Sequence, residues 1–209
     1  MTGGRRTATS ASPGSPDPER DDPERDDPES VARLICLRLL TAAPRTRAEL
    51  VTALRRRGVP DEAAEAVLAR FAEVKLIDDG TFARAWVESR HHSRGLAGRA
   101  LGAELRRKGV APDDIAAALD ELDADSEVRT ARELVERRLA STAGQPAANR
   151  MRKLVGVLAR KGYPAGLAYR IVREALEHEA AQAGRAVGNL ADVPGSEDGD
   201  DADGGQVSG

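Results

Sequence analysis

The chain has 209 residues, of which 32% are charged, 40% hydrophobic and only 2% aromatic, with one cysteine and a net charge of −3. So few aromatic and β-branched residues exclude a β-sandwich or barrel. The single Cys36 excludes an internal disulfide and a cysteine-rich zinc site, and no apolar run approaches the ~18 residues of a membrane span.

Charge is unevenly spread. Residues 1–30 carry −4 and residues 187–209 carry −6, which leaves +7 on residues 31–186. A basic body between acidic ends points to an anionic partner. Arg5 and Arg6 have no apolar stretch after them, so the start does not read as a secretory leader, and the expected compartment is the cytoplasm.

Residues 1–29 are rich in Ser, Pro, Gly and Asp and repeat an Asp-Pro-Glu-Arg motif; they read as a disordered acidic tail. A first helix is expected from about Glu29 to Leu40, with Val31, Leu34, Ile35 and Leu39 facing inward and Pro44 ending it. Thr46-x-x-Glu49 then reads as a capping box that opens a second helix. That helix begins an internal repeat. Glu49-Leu-Val-Thr-Ala-Leu-Arg-Arg-Arg-Gly58 aligns with Ala100-Leu-Gly-Ala-Glu-Leu-Arg-Arg-Lys-Gly109 and with Lys153-Leu-Val-Gly-Val-Leu-Ala-Arg-Lys-Gly162, the glycines being 51 and 53 residues apart. In each copy two leucines four apart (Leu50/Leu54, Leu101/Leu105, Leu154/Leu158) share a helix face, cations fill the last turn, and the glycine suits a left-handed cap. Pro60, Pro112 and Pro164 follow and suit the start of the next helix.

Each copy is flanked by one helix on either side. Val67, Leu68 and Phe71 mark the buried stripe of the third helix. Phe82, Ala83, Trp86 and Val87 mark that of the fourth, a core stripe by its helical period, and Ile115, Leu119 and Leu122 that of the sixth. Val128, Ala131, Leu134, Val135 and Leu139 mark the seventh, and Leu167, Ile171, Val172, Ala175 and Leu176 the ninth. The reading is an all-α, elongated tandem array of three three-helix units at 30–79, 80–124 and 125–186, with disordered acidic tails at 1–29 and 187–209. The third unit is the most basic, at +5.

No phosphate loop, dinucleotide fingerprint or nucleophile turn is present, so no catalytic residue is assigned. Asp78 and Asp79 read as turn and cap residues, with Asp79 or Thr81 capping a helix that opens at Phe82. His91 and His92 are adjacent and diverge by about 100° on a helix, so neither a metal site nor a cofactor is expected. Cys36 reads as a small buried apolar residue. Arg150, Arg152 and Lys153 stand at a helix start, where the dipole does not favour cations, and are the leading partner-binding candidates. Arg107, Lys108, Arg160 and Lys161, in the last turns of two repeat helices, complete the set.

The stretch Leu76-Ile-Asp-Asp-Gly-Thr-Phe-Ala-Arg-Ala-Trp-Val-Glu-Ser-Arg90, followed by Glu104-Leu-Arg-Arg-Lys-Gly109-Val, resembles the signature of the bacterial RecX regulatory proteins. Trp86 stands where that family more often has Tyr or Phe. The resemblance is tightest over 76–122 and extends through the repeats to about 31–177. It implies a modulator that binds the RecA filament on DNA in its helical groove; the missing enzyme motifs add the expectation that it is not an enzyme, and an array with its own continuous core that it is a monomer. Such a protein inhibits recombinase, ATPase and co-protease activities and so modulates DNA repair and the SOS response. The alternative is a direct nucleic-acid-binding helical module; glycines ending the basic helices and the scarcity of Asn and Gln for reading bases weigh against a helix-turn-helix reader.

Overall fold

The computed structural model describes residues 27–191, with side chains through Gly184. Within them lie nine α-helices and no strand: α1 Pro28–Ala42, α2 Arg47–Arg55, α3 Asp61–Glu73, α4 Asp79–Arg94, α5 Gly98–Arg107, α6 Pro112–Asp120, α7 Ala124–Leu139, α8 Ala147–Arg160 and α9 Ala165–Ala191. The chain divides after Asp78 into two compact bodies, α1–α3 and α4–α9. The expected tails lie outside the described residues except at their inner edges, and both edges are helical. Asp27 caps α1, accepting from the amides of Glu29 (3.3 Å) and Ser30 (3.1 Å), and α9 runs to Ala191, past the boundary expected at 186. The Ser30 hydroxyl and these amides hold the Asp27 carboxyl below its ordinary range.

In the first body the second and third helices bury what their periodicity requires: Leu50, Leu54, Val67, Leu68 and Phe71. The capping box forms, Thr46 Oγ1 accepting from the Glu49 amide and Glu49 Oε2 from the Thr46 amide, each at 3.2 Å. Helix α1 is rotated from expectation. Its buried residues are Ala32 and Cys36, Ile35 and Leu39 are half-buried, and Leu34 is 70% exposed with Val31 also outward. Two small residues four apart let α1 approach α3 closely, and that contact wins over burying the larger Val31 and Leu34. Burial pushes the Cys36 thiol pKa up.

The three repeat helices end alike. Val59, Val110 and Tyr163 donate their amides to the carbonyls of Leu54, Leu105 and Leu158 at 3.1–3.2 Å. Gly58, Gly109 and Gly162 donate three residues back at 3.0 Å. Each glycine has positive φ (75°, 78° and 91°), which makes all three ends Schellman caps. Both repeat leucines in every copy are buried to within 1% of complete.

The second body has two cores. One lies among α4–α6, around Ala83, Val87, Leu101, Leu105 and Ile115; the other among α7–α9, around Val135, Leu154, Leu158, Ile171 and Val172. Phe82 and Trp86 are half-buried at the edge of the first core rather than inside it. Their rings stack with centroids 5.6 Å apart, and Trp86 is held by a hydrogen bond from its Nε1 to Glu104 Oε2 at 2.9 Å. Helix α4 opens at Asp79, three residues earlier than expected, so Thr81 lies within its first turn instead of at its cap.

Candidate partner-binding surface

The α4–α5 loop, residues 95–97, is gripped by the third three-helix unit from two sides. From α7, Glu127 Oε1 accepts from the Gly98 amide at 2.7 Å, capping α5. His91, buried at the end of α4, donates from Nδ1 to the Leu96 carbonyl (2.9 Å), and its Nε2 is hydrogen-bonded to the Thr130 hydroxyl (3.1 Å). From the α8–α9 turn, the Lys161 carbonyl accepts from the Ala97 amide (2.9 Å) and Lys161 Nζ donates to the Arg94 carbonyl (2.6 Å). The Tyr163 hydroxyl donates to the Gly95 carbonyl at 3.2 Å. Ala97 thereby belongs to the core of the third unit although it is encoded in the second. The placement of these two units is therefore set by a set of hydrogen bonds, of which the buried Tyr163–Gly95 bond is costly to leave unmade.

Tyr163 is 2% exposed, and burial, followed by the Glu127 and Glu133 carboxylates, pushes its phenol up to about 12. An unfolded tyrosine titrates near 10, so the unfolded chain loses this proton first and stability must fall as pH rises from about 10 to about 12. We expect a Tyr163→Phe variant to be less stable than the parent below about pH 9, by about 1 kcal/mol for the lost hydrogen bond. Its deficit should vanish by about pH 12; denaturant melts across this range check it, and parallel curves for the two proteins refute it.

The seven candidate cations separate into two groups. Arg150, Lys161 and Lys108 are used internally. Arg150 is only 14% exposed at its side chain: it pairs with Glu179 at 2.6 Å and donates to Thr142 Oγ1 (3.1 Å) and the Leu139 carbonyl (3.4 Å). This pairing accounts for a cation in the first turn of α8, a residue the sequence set beside Arg152 and Lys153 as a leading binding candidate. Lys161 ties the loop as described, and Lys108 Nζ lies 4.3 Å from the Trp86 ring centroid, with the Arg90 guanidinium 4.2 Å from the same ring. Arg107, Arg152, Lys153 and Arg160 are exposed. Arg152 donates to Asn149 (3.0 Å) and Lys153 to Gln145 (2.8 Å), both neutral acceptors, so their charges remain uncompensated.

The sequence reading passed over Arg99 and Arg138, which are exposed and have no hydrogen-bond or ion-pair partner for their guanidiniums among the described residues. The repeat register carried a signal for the first: Arg99 occupies the position equivalent to Arg152, 53 residues on. Among the described residues no cluster of His, Cys, Asp or Glu could hold a metal, and no helix is long and apolar enough to cross a membrane.

Family models for the three RecX three-helix domains match in order: the first over residues 32–71, the second over 78–119 and the third over 125–172. The chain belongs to the RecX family. It is 62% identical over 151 residues to the regulatory protein RecX of Thermobifida fusca, covering 72% of this chain and 82% of that one. To the RecX of Streptomyces coelicolor it is 60% identical over 148 residues, covering 71% and 79%. The fold matches the crystal structure of RecX from Lactobacillus salivarius with a TM-score of 0.66 at 20% identity, over 71% of this chain and 96% of that one. As a RecX-family regulatory protein, the chain places the family's signature at the α3–α4 junction and along α4, where Trp86, Lys108 and Glu104 meet. This signature therefore encodes the packing of α4 on α5.

Proposed function

We propose that this RecX-family protein is a cytoplasmic regulator that binds the RecA–DNA filament in its helical groove and lowers RecA recombinase, ATPase and co-protease activity. Through these it would restrain DNA repair and the SOS response. The reading is carried by the ordered match to all three RecX domains together with high identity to curated RecX proteins across most of their length. The physical mechanism is multivalent docking by a monomer. Tandem helical units contact successive protomers of the filament, and modest contacts combine through effective concentration. The chain acts by binding rather than by catalysis.

The test is ATP hydrolysis by the cognate RecA on single-stranded DNA while this protein is titrated in. A dose-dependent fall is expected. If it is already complete well below one copy per RecA, the protein acts by blocking growth at filament ends. No change up to equimolar ratio overturns the reading.

A further inference from the structure

The cations of the third unit are partitioned by face. Arg129, Arg132, Arg137, Arg170 and Arg173 pair with Asp123, Glu174, Glu133, Glu174 and Glu177 at 3.4–4.0 Å, and Arg150 is held by Glu179. Arg138, Arg152, Lys153 and Arg160 have no carboxylate partner among the described residues. These four line one cleft of about 390 Å³ between the end of α7 and α8, and its wall holds no acidic residue. Arg160 also lines the adjoining cleft between α5 and α8, with Arg99 and Arg106, where the wall again holds no acid.

The same body continues into the acids that this cleft lacks. After Arg185 the sequence has no further Lys or Arg, and Asp192, Glu197, Asp198, Asp200, Asp201 and Asp203 follow the end of α9. Pro194 and Gly195 stop the helical pattern ahead of the last five acids. Uncompensated cations and a run of acids without cations thus belong to one chain. Tethering gives such a pair an effective concentration on the order of millimolar, which lets individually weak ion pairs add up.

Lengths decide which acids reach which cations. Helices α8 and α9 run antiparallel from the turn at 161–164, and Arg150 touches Glu179, so Lys153 lies level with about residue 176 and Arg160 with about residue 169. Ala191 therefore projects about 22 Å beyond the level of Lys153 and about 33 Å beyond that of Arg160. The cleft lies one helix to the side, about 10 Å. An extended chain covers about 20 Å in six residues, about 30 Å in nine and about 40 Å in twelve. From Ala191, Glu197 falls short of Lys153, Asp200 and Asp201 reach it, and Asp203 reaches the level of Arg160.

We infer that the carboxylates of Asp200, Asp201 and Asp203 dock in the α7–α8 cleft of their own chain, on Arg138, Arg152 and Lys153, so that another anion enters the cleft only by displacing them. This contact requires no RecA and stands or falls separately from the filament reading.

The test treats the full chain with a carbodiimide, which joins a carboxylate to a lysine amine only where the two touch. The chain has four lysines, Lys75, Lys108, Lys153 and Lys161, and trypsin releases 186–209 as one peptide. At about 50 mM salt that peptide should be joined chiefly to Lys153, through Asp200, Asp201 or Asp203, and the yield should fall severalfold at about 500 mM. Arg138→Gln with Arg152→Gln should cut the yield at least about threefold. Arg137→Gln with Arg173→Gln removes the same charge from ion-paired residues and should leave it within about 1.5-fold. Thermal melts establish that both double variants are folded.

No link to Lys153, or links spread evenly over the four lysines, overturns the docking, as do equal losses in the two double variants. Asp200→Asn with Asp201→Asn and Asp203→Asn should abolish the link, and its survival overturns the assignment of these acids. Tenfold dilution should leave the yield unchanged. Linked dimers that disappear on dilution would assign the acids to the cleft of a second copy and overturn docking within one chain.

Discussion

Gly162→Ala should be far more destabilising than the same change at Gly58, although the two glycines occupy one repeat position and share one cap geometry. Both have positive φ, where an alanine costs about 1–2 kcal/mol. At Gly58 nothing lies within 4 Å of the added methyl, and the cost stops there. At Gly162 that methyl would lie 2.6 Å from the Ala100 amide nitrogen and 2.7 Å from Ala100 Cβ, in the first turn of α5. That backbone cannot give way alone, because the Ala97 amide three residues earlier is bonded to the Lys161 carbonyl. A total of about 3–4 kcal/mol is expected for Gly162→Ala against about 1–2 for Gly58→Ala. Hydrogen exchange should show lost protection at Ala97 and Gly98 in the first variant only. Equal denaturation midpoint shifts for the two variants would falsify this account of the junction.

The second large effect concerns how far a core defect spreads. Leu54→Ala and Leu105→Ala each remove a fully buried side chain at the same repeat position, at a cost of about 3 kcal/mol each. A body of this size has only a few kcal/mol of stability, so either change takes most of what its host core possesses. The core around Leu54 is drawn entirely from residues between Ala32 and Ile77. The core around Leu105 is joined to the third unit by the hydrogen bonds of the α4–α5 loop. Leu54→Ala should therefore lower amide protection in α1–α3 and leave α7–α9 as in the parent. Leu105→Ala should lower protection in α4–α6 and also around Tyr163. Loss of protection across α7–α9 on Leu54→Ala would show that the bodies unfold together.

Much of this architecture is local, and the sequence alone determined it. Helix lengths follow from apolar periodicity. The Thr46–Glu49 box and the glycine caps follow from backbone groups that only neighbouring residues can satisfy, so both were legible from spacing. The triple repeat was legible from spacing as well, and the RecX signature from its resemblance to the family. Leucines that face inward within one unit need no knowledge of the next.

Tertiary structure decided what depended on distant partners. Periodicity placed Val31 and Leu34 inside, but close approach to α3 selected the smaller Ala32 and Cys36. Charge density at a helix start singled out Arg150, Arg152 and Lys153 alike, and Glu179, twenty-nine residues on from the first, holds the Arg150 guanidinium inside the third unit. Lys161 was counted as a binding residue, and its ammonium instead meets a carbonyl sixty-seven residues back in sequence. In the other direction, Arg99 and Arg138 looked like ordinary surface charge until the fold set them beside Arg160 in adjoining clefts that contain no carboxylate. A cation's role depends on which acids lie within reach in space, and a one-dimensional pattern carries that information only within about a helical turn.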